Sequence, residues 1–516
     1  MSNTKIIARN TGWYGLENLV SALVTLFTSI AIARTLGPSK MGYIIFVAWI
    51  GAVVTSLGSL GIPATMQKYM AEFLGMSDPG TARSIYFRTL WMQVWLSVVA
   101  TVGIIIWVLW DAPTGYKFAS VLVVLSIFPA MVNSIPAQAN VASEELGYNL
   151  PASVISILVF FVAILATVVF HWGIIGVGAS MLITRIVDCL VRLIPTTARI
   201  ASWPKSQVEP HGLRERMFTF AWQSIATMIV AMIVWDRSEF ILLKTLNVDI
   251  KQIAYYSVAF TMAERLLMSS QVFGSATGAT IFAQYGRDKS RLPAITASTF
   301  RYLALSSIPV HLLACSLAFP ALMVLYGNQY RGALWVVTLA PLLCLPKAFI
   351  GPVQSLLQSN ERQTYVIWAT VFAGIVDIGV AWALIPAHGA VGACIGSGAA
   401  QLTAVGMMWA VGIRLYNIRL PWMQIVKITA ASIVASLVAH FIEKPLPPLV
   451  GVIAGGCAAL VTLLLLFYLL RVLEPEDRAR FSVLTSMLPK RIGRPVDRII
   501  DILVRPQIAS ATPTNV

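Results

Sequence analysis

Apolar runs of about 20 residues recur along almost the whole of this chain, and no other feature constrains its fold as strongly. Each run is long enough to cross a hydrocarbon core about 30 Å thick. Only 11% of the 516 residues are charged, whereas soluble domains carry roughly 25%. So few charges cannot cover a chain of this length with a polar surface. The sequence therefore predicts an all-α polytopic membrane protein.

We predict about fourteen membrane-spanning helices. Their approximate positions are 13–34, 42–64, 89–110, 118–142, 150–170, 173–195, 217–245, 253–282, 299–326, 332–358, 364–386, 388–413, 422–442 and 447–471. No small-residue cleavage site follows the first run, so we expect it to span the membrane and not to act as a signal peptide. Basic residues are concentrated in alternate loops and in the tail, which predicts that both termini are cytoplasmic.

The net charge of +15 does not indicate nucleic-acid binding. Lys and Arg lie in short loops between apolar runs and form no single basic face. Positive loops are the usual topogenic signal of membrane proteins. The five cysteines fall inside or at the ends of apolar runs, so we expect no disulfide framework.

An internal repeat divides most of the chain into two similar halves. Three anchors recur in order at nearly constant spacing: Arg34-Thr35-Leu36 with Lys244-Thr245-Leu246, Pro136-Ala137-Gln138 with Pro352-Val353-Gln354, and Gly173 and Gly176 with Gly389 and Gly392. This order predicts two parallel six-helix lobes, 1–205 and 206–415. Two appended spans at 416–472 and a cytoplasmic tail at 473–516 follow, the tail either amphipathic on the inner leaflet or loosely ordered. Transporters bind substrate between such repeats near mid-membrane.

Ionisable residues at bilayer depth are the candidate functional residues. Each costs roughly 3 kcal/mol or more there, so it normally faces a cavity or a partner. The candidates are Glu17 in the first span, Arg185, Asp188 and Arg192 in the sixth, Asp236, Arg237 and Glu239 in the seventh, Lys244 at its outer end, Glu264 and Arg265 in the eighth, and Asp377 in the eleventh. Salt bridges between helices or snorkelling side chains are the alternative explanation, especially near a membrane edge.

Helical spacing and the internal repeat give further information on two groups of these candidates. Arg185, Asp188 and Arg192 follow i, i+3 and i+7 spacing and therefore share one helix face. Asp236 and Arg237 align with apolar residues of the first half, so packing at that position does not require charge. The second half of the repeat has this charged pair and the first half lacks it, so binding of a ligand explains the pair better than packing does.

Motifs for nucleotide, metal and acyl-transfer chemistry are missing from the sequence. It contains no GxxxxGK[ST] phosphate loop, no HExxH and no GxSxG, and its five histidines lack metal-ligand spacing. We therefore expect no metal site, no cofactor and no enzymatic activity. We also expect that this chain alone does not use ATP to drive transport.

Two segments and the helix plan resemble a known family. The first is GWYGLENLVSALVTLFTSIAIARTLGPSKMGYIIFVAWIGAVVTSLGSLGIPA, and the second is Asp236-Arg237 followed by Leu242, Leu243, Leu246 and AYYSVA at 254–259. Over about residues 10–472 the chain resembles the polysaccharide flippases (O-antigen translocase-like) of the multidrug/oligosaccharidyl-lipid/polysaccharide superfamily. The resemblance implies two lobes around a central cavity. It also implies alternating access that carries a polyprenyl-diphosphate oligosaccharide from the cytoplasmic to the periplasmic leaflet of the bacterial inner membrane.

Site roles follow from this resemblance as expectations. Arg237 is expected to bind the diphosphate, because guanidinium forms bidentate pairs with phosphate oxygens, and Arg185 is the second choice. Glu17 and Lys244 complete the expected substrate site. Asp236, Glu264 and Asp377 are candidates to hold Arg237 or to bind a coupling proton or sodium ion. Expected partners are the bilayer, the lipid-linked substrate and polysaccharide polymerase machinery for lipopolysaccharide O-antigen.

Two alternative functions remain open on the sequence alone. One is a cation-coupled antiporter of drugs or small solutes from the same superfamily, although such proteins usually have about twelve helices. The other is a membrane-embedded glycan polymerase, ligase or glycosyltransferase. Such enzymes generally need a large extracytoplasmic loop or domain, and every predicted non-cytoplasmic loop of this chain is short.

Overall fold

A computed structural model describes residues 3–205, 212–235, 238–475 and 500–504, together with 477, 478, 495 and 497. Side chains are described from Val24 onwards, apart from single positions that lie mostly in the helices Leu213–Trp235 and Lys251–Arg287. Every regular element in these described residues is a helix, and no strand occurs among them. The predicted all-α class is confirmed.

The α-helices of the described residues cover most of the chain. In chain order they are α1 (Asn3–Gly58), α2 (Ile62–Gly75), α3 (Pro79–Asp111), α4 (Lys117–Leu125), α5 (Ile127–Ala142), α6 (Asn149–Val169), α7 (Gly173–Ala201), α8 (Leu213–Trp235), α9 (Glu239–Thr245), α10 (Lys251–Arg287), α11 (Leu292–Ser316), α12 (Ala318–Leu325), α13 (Leu334–Cys344), α14 (Ile350–Ser359), α15 (Gln363–His388), α16 (Ala390–Tyr416), α17 (Trp422–Glu443) and α18 (Pro448–Leu470). Short 3₁₀ helices occur at Thr114–Tyr116, Leu146–Tyr148, Lys289–Arg291, Asn328–Ala333 and Leu345–Phe349.

A kink divides α1 into two consecutive spans. Gly37 has φ 70° and ψ 171° inside the otherwise continuous helix, a conformation that glycine adopts without steric penalty. Pro38 follows it and has no N–H to continue the hydrogen-bond ladder. The first two predicted spans are therefore separated by a kink at Gly37 and not by a longer loop.

Ten described helical segments are long and apolar enough to cross a membrane, or eleven if Lys289–Ser316 and Ala318–Leu325, which meet at 71°, form one broken span. The chain is a multi-pass membrane protein. Three predicted spans lie outside this count. The first falls largely among residues whose side chains are not described, and the seventh and eighth correspond to α8–α9 and α10.

Two compact units make up the chain. The first contains Met1–Thr261, Tyr326–Gly332 and Ala381–Ala393, and the second contains Met262–Leu325, Ala333–Val380 and Cys394–Val516. The first unit thus holds all of the predicted first lobe together with α8 and α9. The lobe boundaries 1–205 and 206–415 stay a prediction.

Polar side chains join α5 to α7 in the first unit. Asn140 Nδ2 donates to Thr196 Oγ1 at 2.9 Å, while Arg199 Nη2 donates to Asn140 Oδ1 at 2.9 Å. The same guanidinium nitrogen donates to Ser143 Oγ at 2.9 Å. Between helices in lipid, such hydrogen bonds and close packing replace the hydrophobic drive that water supplies to soluble proteins.

A close backbone approach fixes α1 against the start of α10. A Cβ at Gly42 would lie only 2.2 Å from the carbonyl oxygen of Ile250. We expect Gly42→Ala to lower the thermal unfolding midpoint of the detergent-purified protein, because overpacking costs about 1–3 kcal/mol. Gly103→Ala in α3 is the matched control, since no atom lies within 4 Å of its added Cβ. Equal midpoints for the two variants would contradict this prediction.

A buried ion pair ties the segment after α18 to α11 in the second unit. Arg301 Nη1 donates to Asp477 Oδ1 at 3.0 Å, and Tyr302 Oη donates to the same oxygen. The backbone N–H of Glu474 donates to Asp477 Oδ2 at 2.8 Å. Asp477 is 1% exposed and Arg301 is 8% exposed. The beginning of the predicted tail is therefore anchored. Of the apolar residues in its predicted amphipathic segment 474–505, Phe481, Leu484, Leu488 and Ile499 lie outside the described residues, whereas Ile500 and Leu503 are buried.

Candidate functional site

Arg185 lies near the centre of the 29-residue helix α7, where an ionisable side chain needs a reason to be present. Its side chain is exposed. Arg185 lines a cavity of about 500 Å³ inside the first unit, between α1, α4, α5, α6 and α7. The polar residues around this cavity are Thr55, Ser56, Ser126, Ser156, Thr184, Arg185 and Asp188.

The predicted shared face of Arg185, Asp188 and Arg192 is present, but the three charges are not equivalent. Arg192 Nη2 lies 2.9 Å from Asp188 Oδ1, with both side chains largely buried. Asn133 Nδ2 on α5 donates to the other carboxylate oxygen at 2.7 Å. Asp188 is therefore neutralised and held by two partners.

Arg185 is left without such a partner. Within the described part of the chain its guanidinium makes no hydrogen bond and no ion pair. The cavity therefore combines one available cation with several hydroxyl groups in a membrane-embedded position. A guanidinium of this kind matches the geometry of phosphate or carboxylate oxygens.

A second cavity of about 710 Å³ continues from the first inside the same unit. The two cavities share Thr55 and Ser56 of α1. The second is also lined by Ser59, Gly61, Pro63, Ala64, Ser134, Gln138, Phe220, Gln223, Ser224 and Met228. Its α8 wall approaches the backbone of Gly61 closely. Gly61 has φ +66°, and a Cβ there would lie 2.6 Å from the carbonyl oxygen of Ala221.

The other predicted substrate residues are not brought to these cavities by the described structure. Asp236 and Arg237 lie outside the described residues, and Glu17 lies in α1 with its side chain outside the description. Lys244 is exposed in the last turn of α9, with Nζ 6.0 Å from the centroid of the Phe46 ring. Their roles in substrate binding stay predictions.

The two described candidates for ion coupling belong to the second unit. Glu264 is half-buried in α10, and it is an electrostatic neighbour of the Cys344 thiol together with Lys347. Asp377 in α15 is 1% exposed. Both carboxylates take part in polar interactions. Among the residues that the structure describes, no three His, Cys, Asp or Glu side chains are arranged to hold a metal ion.

Sequence reasoning missed the neutral residues of the site. Asn133 donates to the Asp188 carboxylate that pairs with Arg192, and Gln138 and Gln223 supply amides to the second cavity. Gln138 belongs to the Pro-Ala-Gln anchor of the repeat, so its position could have drawn attention. Gln223 and the Ser and Thr residues form no pattern in the sequence that would distinguish them from other polar residues in membrane helices.

A family model described as polysaccharide biosynthesis protein matches residues 31–334, more than half of the chain. The chain belongs to this family. The matched region contains every residue that lines the two cavities. No curated protein sequence matches the chain significantly.

Solved structures establish the fold to which this family member belongs. Lipid II flippase MurJ in an inward closed conformation is 13% identical, with a TM-score of 0.70 over 87% of this chain and 97% of that chain. An inward-facing multidrug resistance MATE family transporter of the MOP superfamily is 15% identical, with a TM-score of 0.62 over 80% of this chain and 96% of that one. A MATE protein in complex with MaD3S is 15% identical with a TM-score of 0.53, over 83% and 97% of the two chains. The fold of this chain is therefore the fold of these transporters and of this flippase.

Proposed function

We propose that this protein flips a polyprenyl-diphosphate-linked oligosaccharide from the cytoplasmic to the periplasmic leaflet of the bacterial inner membrane. The product would serve the synthesis of a cell-surface polysaccharide such as O-antigen. The observation that carries the proposal is the available guanidinium of Arg185 in a hydroxyl-lined cavity of the membrane-embedded first unit. The family match to polysaccharide biosynthesis proteins supports it, as does the fold shared with a lipid II flippase.

The chemistry of the substrate fits this cavity. A diphosphate carries charge that lipid cannot solvate, so a carrier must offer a cation and hydrogen-bonding groups along the route across the membrane. Arg185 supplies the cation, and the surrounding Ser and Thr side chains supply hydroxyls. The polyprenyl tail can remain in the lipid throughout. Arg237, Asp236, Glu17 and Lys244 complete the proposed substrate site.

Movement of the substrate needs alternating access and a source of energy. In this proposal the two repeats rock around the site, and a proton or sodium ion bound at Asp236, Glu264 or Asp377 drives the cycle. A buried carboxylate can exchange a proton during such a cycle because its surroundings change. We further propose that both termini lie in the cytoplasm. A polysaccharide polymerase is the proposed recipient of the flipped lipid.

A leaflet-protection assay tests the proposal directly. The purified full-length protein is reconstituted in liposomes with a fluorescent polyprenyl-diphosphate oligosaccharide, and an impermeant glycosidase outside reports how much glycan has changed leaflet. We expect rapid loss of protection in protein-containing liposomes and slow loss in protein-free ones. Failure to move several glycans under both proton and sodium gradients would contradict the flippase assignment.

The rival function is cation-coupled export of drugs or small solutes. It is favoured by one observation, the similarity of the fold to multidrug resistance MATE transporters. The same liposomes distinguish the two functions. Gradient-driven uptake of a cationic dye without glycan movement would support the antiporter, whereas glycan movement without dye uptake supports the flippase.

A further inference from the structure

The second cavity differs in chemistry from the Arg185 cavity. We propose that it is the sugar subsite of the transporter and that it selects uncharged glycosyl units next to the diphosphate. This inference rests on the proposed function and adds the class of sugar to it. The volume of about 710 Å³ lies within the usual range for small-molecule sites.

The first argument is charge. None of the residues that the structure describes around this cavity is ionisable, and its polar groups are hydroxyls and amides only. Lys68 is nearby, with Nζ 4.0 Å from the centroid of the Phe220 ring, but it does not line the cavity. A carboxylate moved here from water would lose its hydration without gaining a cation, and such burial is strongly unfavourable. A sugar with a hydroxymethyl group in the same place carries no such penalty.

The second argument is the pattern of donors and acceptors. The hydroxyls of Ser59, Ser134 and Ser224 each donate to a backbone carbonyl in the preceding turn of their own chain segment, at 2.6, 2.6 and 2.8 Å. Each hydroxyl has used its only hydrogen, so its oxygen can act towards a ligand only as an acceptor. The oxygen of Ser59 already accepts from Gln93 Nε2 at 2.8 Å, so Ser134 and Ser224 are the two of these three acceptors that the cavity offers to a ligand. The hydroxyl groups of a sugar are donors that match these oxygens.

The third argument is the combination of amides with an apolar surface. Gln138 has an amide that makes no hydrogen bond to any described residue, and it can donate to and accept from a sugar. Gln223 contributes a second amide from α8. Phe220 and Met228 form an apolar part of the wall, which suits the C–H face of a pyranose ring. A polyol with one apolar face is the ligand class that uses all of these groups.

The fourth argument is continuity with the anion site. The two cavities follow each other along α1 and share Thr55 and Ser56. In the substrate, the first sugar is bonded directly to the diphosphate, so the two groups require neighbouring subsites. With the diphosphate at Arg185, the first sugars enter the cavity lined by Gln138 and Gln223.

Two lipids that differ in a single group test the inference. They are short-chain polyprenyl diphosphates whose first sugar is glucose in one and glucuronic acid in the other, and the binding constant of each is measured on the detergent-purified full chain. We expect the protein to bind the glucosyl lipid about tenfold or more tightly than the glucuronosyl lipid. Gln138→Ala should weaken the glucosyl lipid up to about tenfold, the equivalent of one lost hydrogen bond.

A charge introduced into the cavity gives the sharper result. Gln138→Lys should shift the preference towards the glucuronosyl lipid, because the new ammonium pairs with its carboxylate. Gln223→Lys, at an exposed position on α8, provides the same test should the first variant not fold. Gln363→Ala is the control, since this glutamine is exposed at the start of α15 and lines neither cavity.

The outcomes separate this inference from the function on which it rests. Equal affinity of the wild-type protein for the two lipids, or an unchanged ratio in both lysine variants, would overturn the neutral-sugar subsite while leaving the flippase assignment intact. If neither lipid binds at all, the proposed function fails and the inference fails with it. A preference for glucose that reverses in a lysine variant supports both.

Discussion

Arg185→Ala is expected to slow glycan flipping by about 100-fold or more in the leaflet-protection assay. A charge-assisted hydrogen bond contributes about 1.5–3 kcal/mol, and a bidentate contact to a diphosphate loses two of them. The thermal unfolding midpoint should change little, because Arg185 is exposed to the cavity and bonds to none of the described residues. The prediction is therefore a loss of transport without a loss of fold.

Arg185→Lys and Arg414→Ala serve as controls for this prediction. Lysine keeps the positive charge but offers no planar fork to the phosphate oxygens, so we expect partial recovery of flipping. Arg414 is an exposed arginine in the last turn of α16 and lines neither cavity, so its loss should leave the rate unchanged. Flipping by Arg185→Ala at the rate of Arg414→Ala would remove Arg185 from the site.

The helices could be predicted from the sequence because lipid imposes a simple rule on it. A run of apolar residues ends where polar loops meet water, so the predicted span 422–442 agrees with α17 (Trp422–Glu443) and 447–471 agrees with α18 (Pro448–Leu470). The break at Gly37 in α1 was less visible. The run of residues between the first two spans looks like a loop in composition, yet most of it is helical.

The site could be predicted only as far as one helix extends. Spacing placed Arg185, Asp188 and Arg192 on one face, but it could not tell which charge would be neutralised. Asp188 pairs with Arg192 one turn further along α7, and its second carboxylate oxygen accepts from Asn133 of α5 at 2.7 Å, a residue far away in the chain. A contact of this kind depends on how two helices pack together. The spacing of residues within one helix gives no information about that packing.

The second cavity could not be predicted from the sequence either, because its wall combines residues from helices that are far apart in the chain. Most of its polar wall comes from α1, α5 and the residue Ser59 after α1, but Gln223 and Ser224 come from α8, which the repeat assigns to the other predicted lobe. The structure, in contrast, places α8 in the first unit, where Ala221 lies close to Gly61 and the Phe220 ring packs on Tyr69 of α2. Neutral hydroxyls and amides carry no signal of their own, whereas charges in a membrane stand out.

The ion pair between Arg301 and Asp477 carries the second large prediction. Asp477→Ala should destabilise the protein by up to about 3–5 kcal/mol, because it removes the main partner of the buried Arg301 guanidinium and leaves it to pair with the partly exposed carboxylate of Glu474 at 3.5 Å. We expect a clear fall in the thermal unfolding midpoint and faster proteolysis of the chain after α18. Asp497→Ala is the matched control, since Asp497 pairs with Arg478 at 3.2 Å and both side chains are about a third exposed. Surface pairs of that kind contribute about 0–1 kcal/mol.

The pH dependence of stability separates the charge of Asp477 from its packing. Burial alone would raise the pKa of this carboxyl, but hydrogen bonds from Arg301 and Tyr302 outweigh it and hold the pKa below its usual value, which is about 3.9. A depressed pKa contributes stability that is present above about pH 4 and is lost as the pH falls through the folded-state value. The difference in unfolding midpoint between wild type and Asp477→Ala should therefore be constant at neutral pH and shrink below about pH 4. A difference that disappears between pH 8 and pH 6 would show that another group, and not this carboxylate, holds the tail to α11.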